Sequence, residues 1–241
     1  MLFISHFALT EPDIPGSRIS AGTLYIVSTP IGNLEDITFR AVNILSGVDL
    51  IAAEDTRTTK VLLDHYNIRK PLISYYSYNE ARRTPELVAK LKAGHSIALV
   101  SDAGTPGISD PAFRIIRASL DENVPVIPVP GASAFLTALT VSGLPIDHFI
   151  FEGFLPVKKG RKTKLEQLRT EARTIILYES PHRLLRTLGD LLEFLGDREI
   201  SVSRELTKKF EETRRGKISS LISHFSSHAI RGEFVLVVAG A

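Results

Sequence analysis

The sequence predicts an α/β protein built as two α/β domains, and three observations carry that prediction. Short β-branched runs alternate with amphipathic stretches from Gly22 onward, which is the βα pattern of a mainly parallel sheet. A proline-rich stretch, VPVIPVPGAS, interrupts the series near Pro130, and a second series of strands and helices follows it. Composition agrees: 241 residues with 44% hydrophobic and 23% charged side chains suffice for one large core or two modest ones. We therefore expect a leader over 1–21, an N-terminal α/β domain over 22–130 and a C-terminal α/β domain over 131–241, the alternative being one continuous sheet.

In chain order, strands are predicted near TLYIVST, DLIAAE, PLISYY, SIALVSD and PVIPVP, then near FIFEGFL, TIILYES, EISVSREL and EFVLVVAG. Helices fill most of the gaps. Three helix starts are marked by a capping side chain ahead of proline, at Thr84–Pro85, Asp110–Pro111 and Ser180–Pro181. Leu184, Leu185, Leu188, Leu191, Leu192 and Leu195 recur at helical spacing and predict a core-facing stripe. The opening MLFISHFALTEPDIPGSRIS lacks a basic start, and its apolar stretch is broken early, so it reads as a flexible leader and not a signal peptide. No run approaches the roughly 20 apolar residues of a membrane span, and a cytoplasmic location is expected.

The chemistry that composition allows is narrow. With no cysteine there is no disulfide, thiolate zinc site or cysteine nucleophile, and the seven histidines form no helix-spaced metal-binding pair, so no metal is expected. Formal charge is +2, but residues 1–129 carry 12 Lys/Arg against 14 Asp/Glu while 130–241 carry 17 against 13. The second half is the basic half.

Open α/β sheets bind ligands at the carboxyl ends of their strands, so glycine loops directly after strands are the first places to look. TPIGN, SDAGTPGISDP and VPGASA are three such loops. Glycine permits sharp turns and close approach of backbone to a ligand, although tight turns alone can demand it. No Walker-type GxxxxGK[ST] and no GxGxxG follows any strand, which favours a nucleoside without phosphates over a nucleotide. Asp110 is assigned to capping, whereas Asp102, at the strand end, is a candidate for ligand contact.

The stretches GTLYIVSTPIGNLEDITFRA, IAAEDTR, LVSDAGTPGISDP, VPGASA, FEGFLP, YESPHR, RELTKKFEE and GEFVLVVAG occur in one order across residues 22–240. In that set and order the chain resembles the ribosomal RNA small-subunit methyltransferase I family. The resemblance implies a tetrapyrrole methylase-like, class III methyltransferase: two α/β domains with S-adenosylmethionine (SAM) in the cleft between them, usually a homodimer. It implies methylation of the ribose 2′-oxygen of a cytidine in the decoding region of 16S rRNA within the small ribosomal subunit. Sister families methylate tetrapyrrole carbons or a modified histidine, so a tetrapyrrole or other small acceptor is the alternative, as is a non-catalytic RNA-binding relative.

Carried over by position, the resemblance implies a SAM pocket drawn from Pro30, Ile31 and Gly32, from Asp102, Ala103, Gly104, Thr105, Gly107 and Ile108, and from Gly131, Ala132 and Ser133. Phe154, Leu155 and Tyr178 are expected as walls. Methyl transfer to a hydroxyl needs alignment and a proton acceptor, and Glu54, Asp55, Glu179 and Glu205 are the carboxylate candidates, each with a basic neighbour that offers an ion pair instead. For RNA, KKGRKTK supplies Lys158, Lys159, Arg161, Lys162 and Lys164 as a phosphate clamp, with Lys208 and Lys209 extending it. Tyr75, Tyr76 and Tyr78 are candidate base-stacking residues. The chain stops directly after its last strand, where many members of the family continue into a helical tail that is expected to bear on substrate capture.

Overall fold

The computed structural model describes residues 19–241, which divide into two compact units. The first comprises residues up to Ser28 together with Ile37–Pro130, and the second comprises Thr29–Asp36 and Gly131–Ala241. Of the proposed leader, 1–18 lies outside the described residues, while Ile19 packs on the first unit's core and the Ser20 amide donates to the Tyr25 hydroxyl at 2.9 Å.

In the first unit, β1 (Leu24–Val27), β2 (Leu50–Ala53), β3 (Leu72–Ser74), β4 (Ile97–Val100) and β5 (Val126–Val129) form one sheet in the order β3-β2-β4-β1-β5. Every pairing is parallel. Strands β1 and β4 are buried throughout, as expected of strands covered on both faces. Alternate residues serve opposite faces: Tyr25, Val27, Ala98 and Val100 pack with Ile44 and Leu45 of α1 (Phe39–Gly47) and Leu63 of α2 (Thr56–His65). Leu24, Ile26, Ile97 and Leu99 pack with Leu87 and Leu91 of α3 (Glu80–Lys92) and Ile115 of α4 (Phe113–Asp121). Helix α1 starts where the Thr38 hydroxyl accepts from the Ala41 amide, and α2 where the Asp55 carboxylate accepts from the Arg57 amide.

The second unit contains α5 (Ala134–Thr140), β6 (Phe149–Phe154), α6 (Arg161–Leu168), β7 (Thr174–Glu179), α7 (Leu184–Leu195), β8 (Glu199–Arg204), β9 (Glu212–Lys217), α8 (Ile218–Ser226) and β10 (Phe234–Val238). Its sheet, β6-β7-β10-β8-β9, is mixed: β6 and β7 are parallel, and the other pairs are antiparallel. One face carries α6, α7 and α8 over Ile175, Leu177, Ile200, Val202 and Leu236; the other carries Ala138 and Leu139 of α5 over Ile176, Val235 and Val237. Of the leucine stripe, Leu184, Leu188, Leu191 and Leu195 are buried, Leu192 is partly buried and Leu185 lies at its exposed margin.

Several sequence-based expectations are corrected. None of the three residue-before-proline sites caps a helix. Helix α3 begins five residues before Pro85, because the Asn79 side chain accepts from the Tyr76 amide and donates to the Ser74 carbonyl, organising the turn that launches it. Thr84 instead pairs its hydroxyl with that of Tyr75 at 3.0 Å. Helix α4 starts at Phe113 after an irregular turn, and α7 starts at Leu184 after a turn closed by the Arg183 amide on the Ser180 carbonyl. In that turn Pro181 occupies the second position, where its fixed φ is as well suited as at a helix start. Strand β9 was not anticipated, and the expectation of mainly parallel sheets holds for the first unit alone.

Candidate active site

Because the first sheet is wholly parallel, all its strand C-termini lie at one edge, and that edge gathers carboxylates. Glu54 directly follows β2, Asp102 follows β4, and Ala53 and Val100 are register partners. The Asp102 amide donates to Glu54 Oε2 at 3.3 Å, and the Asp55 amide donates to Asp102 Oδ1 at 3.0 Å, so the two loops are cross-tied. Burial pushes the Glu54 carboxyl above its ordinary range, the Asp102 amide opposes this, and the negative charges of Asp110, Asp102 and Asp55 add to it. Asp102 is raised by partial burial, against the Asp55 amide, with the Asp55 charge adding. Asp110 is raised by burial despite a hydrogen bond with Ser101. Contrary to the capping role that the sequence suggests, Asp110 caps no helix and belongs to this acidic edge.

Asp55 behaves oppositely. It binds the Arg57 side chain in a fork, with Nη2 at 2.6 Å and Nε at 3.0 Å, and caps α2, which lowers its pKa to about 2. Between Asp102 and Asp110 the loop is held by its own contacts: Ser28 and Thr105 share a hydroxyl pair at 2.8 Å, and Gly104 and Gly107 adopt φ of 83° and 87°. A side chain at Gly107 would meet both that backbone preference and the Ala112 Cβ at 3.2 Å. Asp102, Ala103, Gly107 and Ile108 are exposed at the loop, while Gly104 is buried and Thr105 partly so.

The second unit holds the remaining predicted residues. Pro30 is buried, Ile31 packs on the α5 face of the core, and Gly32 lies against the turn joining β8 to β9. A Cβ on Gly32 would come within 2.5 Å of Lys208 Cγ and 2.9 Å of Thr207 Oγ1, so the hairpin itself demands this glycine. Gly131 is exposed, Ala132 and Ser133 are partly so, and Ser133 precedes α5, its carbonyl accepting from the Thr137 amide. Phe154 is exposed and meets the Tyr178 ring edge-on at 5.6 Å, whereas Leu155 points into the main core and presents no side chain to a ligand.

Glu179 and Arg161 are structural residues linked through Thr187. The Glu179 carboxylate is fully buried, accepting from Thr187 Oγ1 at 2.6 Å and the Ser180 amide at 2.8 Å beside Arg183 at 3.3 Å. The Arg161 guanidinium, 4% exposed, donates to Asp190 at 2.7 Å, Thr187 at 2.8 Å and the Pro156 carbonyl at 3.1 Å. Each of the three guanidinium nitrogens of Arg161 is engaged and the side chain is buried, so it is not presented to a phosphate. Of its run, Lys158, Lys159 and Lys162 are exposed, and Lys164 pairs with Glu152 at 2.7 Å. Glu205 pairs with Lys208 at 3.1 Å, and Lys209 is exposed. Tyr75 is a core residue, while Tyr76 and Tyr78 are exposed. No group of three or more His, Asp or Glu among the described residues is arranged to hold a metal ion, and no described helix is long and apolar enough to cross a membrane.

Comparison with known proteins turns this geometry into a lineage. The model of the tetrapyrrole (corrin/porphyrin) methylases matches residues 23–222. A Synechocystis protein named ribosomal RNA small subunit methyltransferase I is 56% identical over 222 residues, 91% of this chain and 80% of that protein. The chain belongs to the ribosomal RNA small-subunit methyltransferase I family. Its Thermotoga maritima relative of the same name is 51% identical over 91% of this chain and 99% of that one. Among solved structures, Thermus thermophilus uroporphyrin-III C-methyltransferase complexed with S-adenosylhomocysteine superposes with a TM-score of 0.63 at 17% identity, covering 89% of this chain and 96% of that one. The family's fold, that of the tetrapyrrole methylases, is therefore the fold of this chain. Within the family's motif set, SDAGTPG and AEDTR are the two loops that the Asp102 and Asp55 amides tie together.

Proposed function

We propose that this chain transfers a methyl group from SAM to the ribose 2′-oxygen of a cytidine in the decoding region of 16S rRNA. The observation that carries the reading is the 56% identity, across nine-tenths of the chain, to a relative named for small-subunit rRNA methylation. The acidic edge fits the cofactor. SAM brings a sulfonium and an ammonium group, and Glu54, Asp102 and Asp110 are carboxylates held above their ordinary range chiefly by burial, with neighbouring negative charges adding to it. Asp102, Ala103, Gly107 and Ile108, exposed at the two ends of the 102–108 loop, offer the close surface that a nucleoside needs.

When bound, SAM supplies the activated methyl group. The chain's tasks are to align the ribose hydroxyl and to take its proton as the new C–O bond forms. Of the four carboxylate candidates, Asp55 is committed to Arg57, Glu205 to Lys208, and Glu179 is sealed in the core. Glu54 remains: it has no ion pair among the described residues and is the carboxylate left to take the proton. Lys158 and Lys159 are exposed cations available to RNA phosphates in the 158–164 run, and Lys162 is exposed with only a loose surface pair to Glu166 at 3.8 Å.

The test is transfer of labelled methyl from SAM to small ribosomal subunits lacking their decoding-region modifications, followed by alkaline digestion. Label in an alkali-resistant dinucleotide supports 2′-O-methylation. Label in mononucleotides refutes the ribose target, and no transfer by a sample that binds SAM refutes the rRNA substrate.

A further inference from the structure

We infer that the tip of the β8–β9 hairpin is an RNA-stacking site, in which Phe210 receives one splayed nucleobase and Lys209 the adjoining phosphate. The inference rests on the rRNA reading above and adds a binding element to it.

Phe210 is 70% exposed, and the Lys209 ammonium lies 5.7 Å from its ring centroid. A lone exposed aromatic is common and by itself means little. What sets this one apart is the backbone that presents it. Glu205 and Thr207 both adopt positive φ, 50° and 67°, a costly conformation for residues with a Cβ and most of all for a β-branched one. Such strain persists only where the surroundings enforce it. Here the Thr207 amide donates to Glu211 Oε2 at 2.7 Å, the Lys208 amide to the Glu205 carbonyl at 2.9 Å, and the Glu211 amide to the Lys208 carbonyl at 3.1 Å. The Asn33 amide donates to Thr207 Oγ1 at 3.0 Å, pinning the tip from outside the hairpin.

With these contacts in place Glu205, Thr207 and Lys208 are half-buried, while Lys209 and Phe210 project into solvent. No described carboxylate lies within ion-pair distance of Lys209. A cation lies over the aromatic ring, and most of the residue is open to solvent. A nucleotide matches that pair: its base has a π-face for the ring, and its phosphate is an anion for the ammonium. Because the tip is already fixed, little ordering cost opposes binding. A single projecting ring offers too little surface for a protein partner, but it suffices for an unstacked base.

The experiment compares wild type with Phe210→Ala, Phe210→Leu, Phe210→Trp and Lys209→Gln. It measures affinity for a short fluorescein-labelled single-stranded RNA and KM for small subunits, with SAM affinity and melting temperature as controls. Phe210→Ala and Phe210→Leu are expected to weaken RNA binding between about fivefold and about a hundredfold, and Phe210→Trp to retain it. Lys209→Gln is expected to flatten the dependence of log affinity on log salt by about 0.7. SAM affinity and melting temperature stay at wild-type values throughout. Affinities of Phe210→Ala and Phe210→Leu within about twofold of wild type overturn the site, as does a loss traced by sedimentation to dissociation of a dimer. If wild type binds SAM but neither binds RNA nor methylates subunits, the rRNA reading fails first. If wild type does both and the Phe210 variants match it, the hairpin site alone fails.

Discussion

Asp102→Asn separates the proposed cofactor role of the acidic edge from a structural one. Asparagine keeps the Oδ1 acceptor that binds the Asp55 amide at 3.0 Å, and the backbone amide that donates to Glu54 is untouched, so the cross-tie between the loops survives. What is lost is one negative charge beside Glu54 and Asp55. A cation about 4 Å from a carboxylate gains ~1 kcal/mol in water and ~4 kcal/mol at an effective dielectric of 20. Asp102 is exposed, which places its share near the lower end, about 1–2 kcal/mol. That corresponds to a roughly 5- to 30-fold weaker SAM dissociation constant by titration calorimetry at neutral pH. The melting temperature should hold or rise, because the substitution removes repulsion. The pH dependence gives a second readout. Glu54, Asp102 and Asp110 have raised pKa values, so the folded chain holds extra protons between the unfolded and folded pKa values, and stability without ligand falls as pH rises through that window. A cation expels those protons, so SAM binding should tighten as pH rises through the same window, less steeply in Asp102→Asn. An unchanged SAM affinity and pH slope in a folded variant would refute the placement of the cofactor's positive charge at this edge.

Arg161→Ala should destabilise the chain by about 3–5 kcal/mol in chemical denaturation, since it leaves Asp190 and Thr187 with broken partners in a buried site. A loss below ~1 kcal/mol would return Arg161 to the surface and to the phosphate clamp. The double substitution Lys158→Gln with Lys159→Gln should instead leave stability unchanged and lower the salt slope of rRNA binding by about 1.5, with SAM affinity intact. An unaltered slope would remove those lysines from the RNA path.

What the sequence made legible was whatever a short window can encode. Strands β1 and β4 announce themselves because both faces are covered, so LYIV and IALV are unbroken apolar runs. Strand β9 is the reverse case. Its sequence ETRRGK carries no apolar residue, and it is a strand because of its partner: Arg204 meets Glu212 at 2.6 Å and Lys217 meets Glu199 at 3.2 Å along the shared ladder. An edge strand so charged also resists pairing with another chain. The same distinction governs the site. Glu54 and Glu179 look alike in sequence, each an acid at a strand's end with an arginine close behind. Thr187 and Ser180 close over Glu179 and bury it, while Glu54 faces only other acids and a single backbone amide. Likewise nothing inside KKGRKTK distinguishes Arg161 from its neighbours; Asp190, twenty-nine positions away, does. Carboxylates and cations are therefore recognisable as candidates by local pattern, but their availability for chemistry is decided by the partners the fold closes on them, whether distant, as Asp190 is for Arg161, or near, as Thr187 and Ser180 are for Glu179. On that criterion Glu54, whose partner is the Asp102 amide and whose charged neighbours are acids, is the one of the four carboxylate candidates that no cation holds.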